Sequence, residues 1–250
     1  MSATTYLFTL EAGPGLPEPR PGQFVNVAVS EELTLRRPFS VAGTPAPGSF
    51  DLLVEVRGKG TRALADMPVG AVVDVLGPLG NEFSEPSTGG TSLLVAGGIG
   101  VAGLRLLAQE LRSADRAVHA FVGARSADLL LHHTLPSPTN DRRMTVDVAT
   151  DDGSEGFHGT VTRLLERALD GSEAPGRIYC CGPPAMIAST ARVAEAAGIR
   201  CEALLEEMMA CGVGACRGCV VATRSGYRSV CADGPVFDTN ELLLEELVGA

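Results

Sequence analysis

Four cysteines near the end of the chain restrict its fold more than any other feature. They are Cys211, Cys216, Cys219 and Cys231. The first three follow the spacing C-x4-C-x2-C and the fourth lies downstream, which is the pattern of a loop that holds a 2Fe–2S cluster through four thiolates. Such a loop must turn both its sulfur atoms and its backbone N–H groups toward one point. Gly212, Gly214 and Gly218 suit this turn, because glycine accepts backbone conformations that other residues avoid.

Two other interpretations of this segment remain open at the level of sequence. A zinc site usually takes two separated cysteine pairs, so one close triple with a single distant cysteine matches it less well. A disulfide pair is the second alternative. The chain has seven cysteines, and a cluster segment that uses four of them favours a reducing cytoplasm over an oxidising compartment.

Composition argues against several classes of protein. With 250 residues, 45% of them hydrophobic and 20% charged, the sequence predicts a globular protein of one large or two ordinary domains. It has no apolar run of about 18 residues or more, so no transmembrane helix is expected. Residues 1–10 lack the basic and apolar regions of a secretory signal. The net charge of −10 argues against nucleic acid and anionic membranes as partners.

Residues 1–85 alternate short β-prone runs with turns that are rich in proline and glycine. The predicted strands are 5–10, 23–28, 37–41, 50–56 and 71–76. Several short strands at close intervals predict a small antiparallel β-barrel. A brief helix is expected at 61–66, and residues 84–91 have the composition of a linker.

From residue 92 the pattern changes to strands that alternate with helices. The predicted strands are 93–96, 117–122, 144–149, 177–180 and 200–205, and the predicted helices are 101–112, 127–132, 161–170 and 184–197. This alternation predicts an α/β domain with a doubly wound parallel sheet. The cysteine segment follows, and a short helix at 240–247 closes the chain. We therefore expect three domains, at 1–85, 86–205 and 206–250.

Two motifs in the first domain suit a ligand with phosphate groups. Arg36-Arg37-Pro38-Phe39-Ser40 places a guanidinium beside a hydroxyl on a strand, where they could hold a phosphate and the edge of a flat ring. The alternative is a basic surface pair before an ordinary strand. Further on, Gly58-Lys59-Gly60-Thr61 leads from a strand into a helix that Thr61 could cap. That turn alone could be structural, but the two motifs together favour a dinucleotide.

Two motifs in the second domain lie where parallel strands end. Gly97-Gly98-Ile99-Gly100 joins a buried strand to a helix and suits a pyrophosphate, although it is not the G-x-G-x-x-G pattern. The alternative is tight packing of the strand on the helix. Cys181-Gly182-Pro183 follows a later strand at the same edge of the sheet. The four histidines are scattered, and no acid, base or nucleophile stands out, so no catalytic side chain is predicted.

These motifs, in this order, resemble those of the ferredoxin-reductase superfamily. The stretch 37–40 is similar to its flavin-binding R-P-x-S motif, Gly60-Thr61 to its pyrophosphate turn, 97–100 to its nicotinamide-nucleotide motif and 181–183 to its C-G-P motif. The cysteine segment is most similar to that of the electron-transfer subunits of type 1B, NAD-dependent dihydroorotate dehydrogenases. The similarity extends over nearly the whole chain, and the cysteine segment is its most specific part.

The resemblance implies three cofactors, which are FAD, a 2Fe–2S cluster and NAD. By position, FAD would contact Arg37, Pro38, Phe39, Ser40, Leu53, Val54, Glu55, Gly60 and Thr61. NAD would contact Gly97, Gly98, Gly100, Cys181, Gly182 and Pro183. The four cysteines of the C-terminal segment would be the metal ligands. The family often has a basic residue where this chain has Glu55, which leaves the FAD contact intact if the backbone makes it.

The resemblance also implies a function in pyrimidine biosynthesis. Electrons from dihydroorotate, oxidised on an FMN-containing partner subunit, would pass through the cluster and FAD to NAD+. A flavin suits the middle position because it exchanges electrons singly or in pairs. The implied assembly is a heterotetramer with two copies of each subunit. One alternative is a flavin–cluster subunit of a ferredoxin–NADP reductase or hydrogenase complex, and another is a redox sensor that passes no electrons to NAD+.

Overall fold

The first part of the computed structural model is built from antiparallel strands. The structure describes residues 5–13, 15–85, 90–136, 143–170 and 176–249. The elements of the first part are β1 (Thr5–Glu11), β2 (Phe24–Ala28), β3 (Arg37–Ser40), β4 (Ser49–Glu55), α1 (Lys59–Ala65) and β5 (Asp74–Leu79). They form one sheet in the order β3-β2-β5 and a second sheet of β1 and β4. All five predicted strands are confirmed, the last one displaced toward Leu79.

These two sheets enclose a core of their own. Val25 and Val27 of β2 point to the same side of their strand, as residues two apart do, and they pack with Phe50, Leu52 and Val54 of β4. Gly43 makes an isolated antiparallel bridge to Asp51 of β4. The described ladders of this part are the two sheets, and a single closed barrel remains a prediction.

The helix α1 begins two residues earlier than predicted. Its N-cap is Gly58, not Thr61. The Thr61 hydroxyl accepts hydrogen bonds from the backbone N–H groups of Arg57 at 2.9 Å and Gly58 at 3.1 Å. Thr61 therefore fixes the turn from within the first helical turn, because its side chain reaches back to the cap.

The second part contains the predicted parallel sheet. Its strands are β6 (Ser92–Gly97), β7 (Val118–Ala124), β8 (Met144–Thr150), β9 (Phe157–His158), β10 (Arg177–Cys181) and β11 (Cys201–Leu204), followed by β12 (Val220–Thr223), β13 (Gly226–Ser229) and β14 (Val236–Asp238). The helices are α2 (Val101–Ser113), α3 (Val161–Leu169), α4 (Pro184–Ala196), α5 (Val230–Asp233) and α6 (Leu244–Gly249). The sheet order is β14-β11-β10-β6-β7-β8-β9, and only β14 runs antiparallel to its neighbour.

The two faces of this sheet are covered by different helices, as in a doubly wound fold. Leu94 of β6 packs with Leu104 and Leu107 of α2 on one face. Leu93 of the same strand packs with Leu165 of α3 and Ile187 of α4 on the other. Consecutive residues of β6 thus pack into the cores on opposite faces of the sheet, because side chains alternate along a strand.

Two predicted helices differ from the structure. Residues 127–132 form no α-helix but two 3-10 turns, Ala127–Leu129 and His132–Thr134. Leu130 is extended between them and its side chain is 4% exposed, so burial of this side chain ends the helical path. The helix predicted at 240–247 is a 3-10 turn at Thr239–Glu241 followed by α6.

The C-terminal segment is joined to the rest of the molecule by main-chain pairing. Its strand β14, which the sequence did not reveal, pairs with β11. The predicted linker at 84–91 begins in a fixed position, because the backbone N–H of Ser84 donates to Glu202 at 3.0 Å and its carbonyl accepts from the Tyr179 hydroxyl at 2.9 Å. Residues 86–89 of that linker lie outside the described residues. In the part of the chain that the structure describes, we find no helix long and apolar enough to cross a membrane.

The helix α2 contacts the antiparallel strands of the first part through Arg105. The Arg105 guanidinium donates to the carbonyl of Ala42 at 2.8 Å and to the carboxylate of Asp51 at 3.1 Å. Asp51 is 3% exposed and also accepts from the Thr9 hydroxyl at 2.7 Å. This charged contact fixes how the antiparallel sheets sit on the parallel sheet.

Asn81 joins the end of the first part to the cysteine segment, and its replacement tests that connection. Its side chain donates to the Val236 carbonyl at 2.8 Å and accepts from the Val236 N–H at 2.9 Å. We expect Asn81→Ala to lower the free energy of unfolding by about 1–2 kcal/mol, since main-chain groups lose their partners. Urea unfolding measures this change. The control is Asn240→Ala at an exposed position, and an equal loss in both variants would contradict the assignment.

Candidate functional site

The four cysteines lie together between β11 and β14, three of them in one loop and Cys231 in α5, and backbone N–H groups of the loop approach the sulfur atoms. Cys211 is half-buried, Cys216 is exposed, and Cys219 and Cys231 are buried. The N–H of Val213 donates to the Cys211 sulfur at 3.5 Å. The N–H of Cys216 also donates to the Cys211 sulfur, at 3.5 Å. The N–H of Gly214 donates to the Cys231 sulfur at 3.1 Å. The loop therefore offers hydrogen bonds to negative sulfur.

The environment of the cysteines divides them into two neighbouring pairs. The N–H groups of Val213 and Cys216, together with the Cys216 thiol, lower the pKa of Cys211 to about 6. Burial first, and then the Cys219 thiol, raise the pKa of Cys231 to about 12. The pairs are thus Cys211 with Cys216 and Cys219 with Cys231.

The chemistry of these four cysteines fits a 2Fe–2S cluster. All seven cysteines are free thiols. A 2Fe–2S cluster distributes four cysteine ligands over two irons. The donor set therefore matches the cluster predicted from the spacing.

Two of the three loop glycines are required by the geometry. Gly212 and Gly214 have φ values of 74° and 79°, in the left-handed region that favours glycine. A Cβ on Gly212 would overlap the side-chain amide of Asn26, and one on Gly214 would lie 2.8 Å from the Cβ of Ala232. A Cβ on Gly218 would meet only the Cys216 sulfur at 3.6 Å, so this glycine has more room.

A cavity of about 740 Å³ lies beside the cluster loop, between the antiparallel sheets and the parallel sheet. Seven of the nine residues predicted to contact FAD line it, namely Arg37, Pro38, Phe39, Ser40, Leu53, Val54 and Glu55. We refer to it as the flavin cavity, after this prediction. Gly60 and Thr61 are not among the residues that line it. Gly60 instead packs on the Arg37 side chain, whose Nε would lie 2.7 Å from a Cβ at that position.

The two neighbouring arginines of this cavity have different partners. The Arg36 guanidinium forms an ion pair with the Asp74 carboxylate and donates to the Asp74 carbonyl at 3.0 Å. The described hydrogen bonds of Arg37 both come from Nη1, to the carbonyls of Leu35 at 2.6 Å and Arg36 at 3.3 Å. Arg37 is therefore held by the backbone in a position where its charge faces the cavity.

A second cavity, of about 930 Å³, lies at the carboxyl ends of the parallel strands. Five of the six residues predicted to contact NAD line it, namely Gly97, Gly98, Gly100, Gly182 and Pro183. We refer to it as the nicotinamide cavity, after this prediction. Cys181 does not line it; its side chain is fully buried and burial raises the pKa of its thiol. A Cβ on Gly100 would overlap the Cys181 carbonyl, so this glycine also serves the close packing of strand and helix.

The wall that the two cavities share contains Glu55, Arg57 and Ile99, together with a segment that leads to the cysteines. Leu205, Glu206 and Glu207 line both cavities, and Cys211 follows shortly after them in the chain. The predicted flavin, nicotinamide and cluster positions are therefore contiguous.

Comparisons with known proteins identify three kinds of domain in this chain. Three family models match in order: an oxidoreductase FAD-binding domain at residues 2–83, an oxidoreductase NAD-binding domain at 94–192 and the iron–sulfur cluster binding domain of dihydroorotate dehydrogenase B at 206–243. The electron transfer subunit of dihydroorotate dehydrogenase B (NAD(+)) from Desulforamulus reducens is 38% identical, over 90% of this chain and 87% of that protein. Its counterpart from Shouchella clausii is 41% identical with the same coverage.

This chain belongs to the family of dihydroorotate dehydrogenase B electron transfer subunits. Solved structures place the family within a wider fold. A structure of an NADH-dependent reduced ferredoxin-NADP oxidoreductase is 31% identical with a TM-score of 0.83, covering 98% of this chain and 89% of that one. The ferredoxin reductase of a carbazole 1,9a-dioxygenase is 26% identical with a TM-score of 0.66, covering 78% and 61%.

Several residues that line the nicotinamide cavity of this electron transfer subunit were missed by the sequence motifs. They are Gly123, Ala124, Arg125, Asp128, Asp151, Thr160, Val161 and Thr162. Gly123 and Ala124 end β7, which lies next to the strand that carries the glycine motif. Arg125 and Asp128 follow β7, Asp151 follows β8, and the other three lie at the start of α3. A search of every predicted strand end, rather than of the glycine motif alone, would have found them, since ligands of such sheets bind at that edge.

Proposed function

We propose that this chain transfers electrons from a dihydroorotate dehydrogenase catalytic subunit to NAD+. The observation that carries the proposal is the shared segment described above, which walls both cavities and leads into the cysteine loop. Three redox groups held around one segment lie next to one another, so electrons have a short path. The membership of the family and its three domain matches support the same function.

The cysteine loop would hold a 2Fe–2S cluster through Cys211, Cys216, Cys219 and Cys231. A bound cluster supplies one-electron transfer. The lowered pKa of Cys211 favours the thiolate that metal binding requires. The N–H groups that reach the sulfur atoms would stabilise the additional negative charge of the reduced state.

Residues that line the two cavities would position FAD and NAD+ next to each other. Bound FAD supplies the exchange between single electrons and a hydride. Arg37 and Ser40 would orient the flavin nucleotide, and the strand β4 would line its ring. The turn 97–100 and the ends of β7 and β8 would hold the nicotinamide nucleotide. The chain contributes binding and orientation, and we assign no acid or base to the reaction.

The partner would approach the cysteine loop. Val213 and Met208 are 52% and 90% exposed there, and Cys216 is exposed beside them. Such apolar exposure around a redox centre suits a protein interface. We propose an FMN-containing catalytic subunit in a heterotetramer with two copies of each chain, in the cytoplasm. We further propose that 1–85 closes into a flavin-binding barrel, followed by domains 86–205 and 206–250.

A second candidate is the flavin–cluster subunit of a different complex. The likeness to the NADH-dependent ferredoxin-NADP oxidoreductase structure, at a TM-score of 0.83, favours it. The two candidates share their cofactors and differ in the partner. A redox sensor would accept electrons without turnover.

Anaerobic reduction of NAD+ by dihydroorotate tests the proposal. We expect turnover when this chain is mixed with the FMN-containing dihydroorotate dehydrogenase of the same organism, and none with either protein alone. Failure of the mixture, with retained oxidation of NADH by an artificial acceptor, would support a different partner. Reduction without any turnover would support the sensor.

A further inference from the structure

Asn26 is a buried amide that the described part of the protein leaves without a partner. Asn26 lies in the middle of β2 and is 1% exposed. Neither its Nδ2 nor its Oδ1 has a hydrogen-bond partner among the described residues. A buried amide without a hydrogen-bond partner loses its contacts with water and gains nothing in return. An apolar side chain would avoid that cost, so the amide points to a partner that comes with a bound group.

The strand register places this amide between the flavin cavity and the cysteine loop. Asn26 lies opposite Pro38 of β3, and Phe24 lies opposite Ser40. Residues two apart share a face, so Asn26 points to the side on which Phe24, Pro38 and Ser40 line the flavin cavity. Asn26 itself is not among the residues that line the cavity. It faces the neighbouring loop instead.

The contact with that loop is close and occurs next to a predicted iron ligand. A Cβ on Gly212 would overlap the Nδ2 atom of Asn26. Gly212 directly follows Cys211, whose sulfur already receives N–H groups from Val213 and Cys216 at 3.5 Å. The amide of Asn26 approaches the loop from the flavin side, while these backbone groups belong to the loop itself. Because sulfur accepts hydrogen bonds most strongly when it carries negative charge, the cluster is the chemical group that this amide suits.

We propose that Asn26 donates a hydrogen bond from Nδ2 to a sulfur atom of the bound cluster beside Cys211, and thereby raises the reduction potential of the cluster. The inference rests on the proposed function, because it requires a 2Fe–2S cluster in the loop. A donor to sulfur stabilises the reduced cluster more than the oxidised one, since reduction adds negative charge. Asn26 is thus a tuning residue that the flavin-binding sheet contributes to the cluster.

Replacement by leucine, Asn26→Leu, tests the proposal in the complete protein with both cofactors bound. We expect the ratio of reduced to oxidised cluster at a fixed potential to fall about tenfold, which corresponds to a midpoint about 59 mV lower for one electron. A redox titration followed by electron paramagnetic resonance measures this shift, and the g-values of the signal should change with it. The flavin absorption spectrum should remain that of the unaltered protein.

Thr190→Val is the matched control, because Thr190 is also fully buried in the protein and its Oγ1 also lacks a partner among the described residues. It lies on α4, and its replacement should leave the midpoint unchanged. An unchanged midpoint and unchanged g-values in Asn26→Leu would overturn the proposal, even if the stability of the protein changed. If the leucine variant loses its cluster, Asn26→Ala decides, since it removes the same donor without adding bulk, so the midpoint should fall, and no shift would overturn the contact. Absence of a 2Fe–2S signal in the unaltered protein would instead overturn the proposed function and this inference together.

Discussion

Cys216→Ala is expected to abolish electron transfer from dihydroorotate to NAD+ while NADH oxidation with an artificial two-electron acceptor continues. Cys216 belongs to the pair that it forms with Cys211, and it is the most exposed of the four cysteines. Its replacement removes one ligand of one iron. Changes to groups that merely surround metal ligands reduce activity about 10- to 100-fold, so loss of a ligand should exceed about 100-fold. Flavin content should stay near that of the unaltered protein, because Cys216 does not line the flavin cavity.

Iron content, the visible spectrum and the two activities together measure this result. Cys201→Ala is the matched control, because Cys201 is also a free cysteine but lies buried in β11, with its sulfur 3.9 Å from that of Cys180. The control should keep its cluster and its activity with the partner. Joint loss of flavin and iron in Cys216→Ala would contradict independent sites.

The four proposed cluster ligands could be named from the sequence because their signal is local. A spacing of a few residues determines which thiols can meet in one loop, and the glycines between them report the required backbone conformation. The structure refines this prediction by separating Gly212 and Gly214, which have positive φ, from Gly218, which does not. The same locality explains why most strands were placed correctly, since each is a short run with its own alternation.

Features that depend on distant pairing were not predictable. The strand β14 is three residues long and is defined by its pairing with β11, which lies far from it in the chain. Asn26 looked like an ordinary strand residue, because its position next to Gly212 depends on how two remote parts of the chain meet. Cys181 was expected to line the nicotinamide cavity, but the alternation of its strand turns the side chain into the core. In each case the sequence supplies the local element, and tertiary contacts decide what that element touches.

Arg37→Ala is expected to weaken FAD binding about 10- to 100-fold. The guanidinium lines the flavin cavity and is held there by two backbone carbonyls and by contact with Gly60. A hydrogen bond to a charged group contributes about 1.5–3 kcal/mol, and every 1.4 kcal/mol is about a factor of ten in affinity. Arg37→Lys should recover only part of the loss, because an ammonium keeps the charge but not the planar pair of donors that fits a phosphate. Titration of the flavin-free protein with FAD, followed by flavin fluorescence, measures these affinities.

Arg36→Ala is the control that makes this result specific, since it removes the same side chain one position earlier. Arg36 also borders the cavity, but its guanidinium is engaged by both the carboxylate and the carbonyl of Asp74. A guanidinium already paired with a carboxylate has less to offer a phosphate, so the loss of FAD affinity should stay below about threefold, which is less than 1 kcal/mol. Equal losses in the two alanine variants would mean that FAD affinity depends on the combined charge of the two arginines and not on a contact made by Arg37. A loss confined to Arg37 requires a phosphate group held at one place, and it would fix the direction in which the flavin enters the cavity.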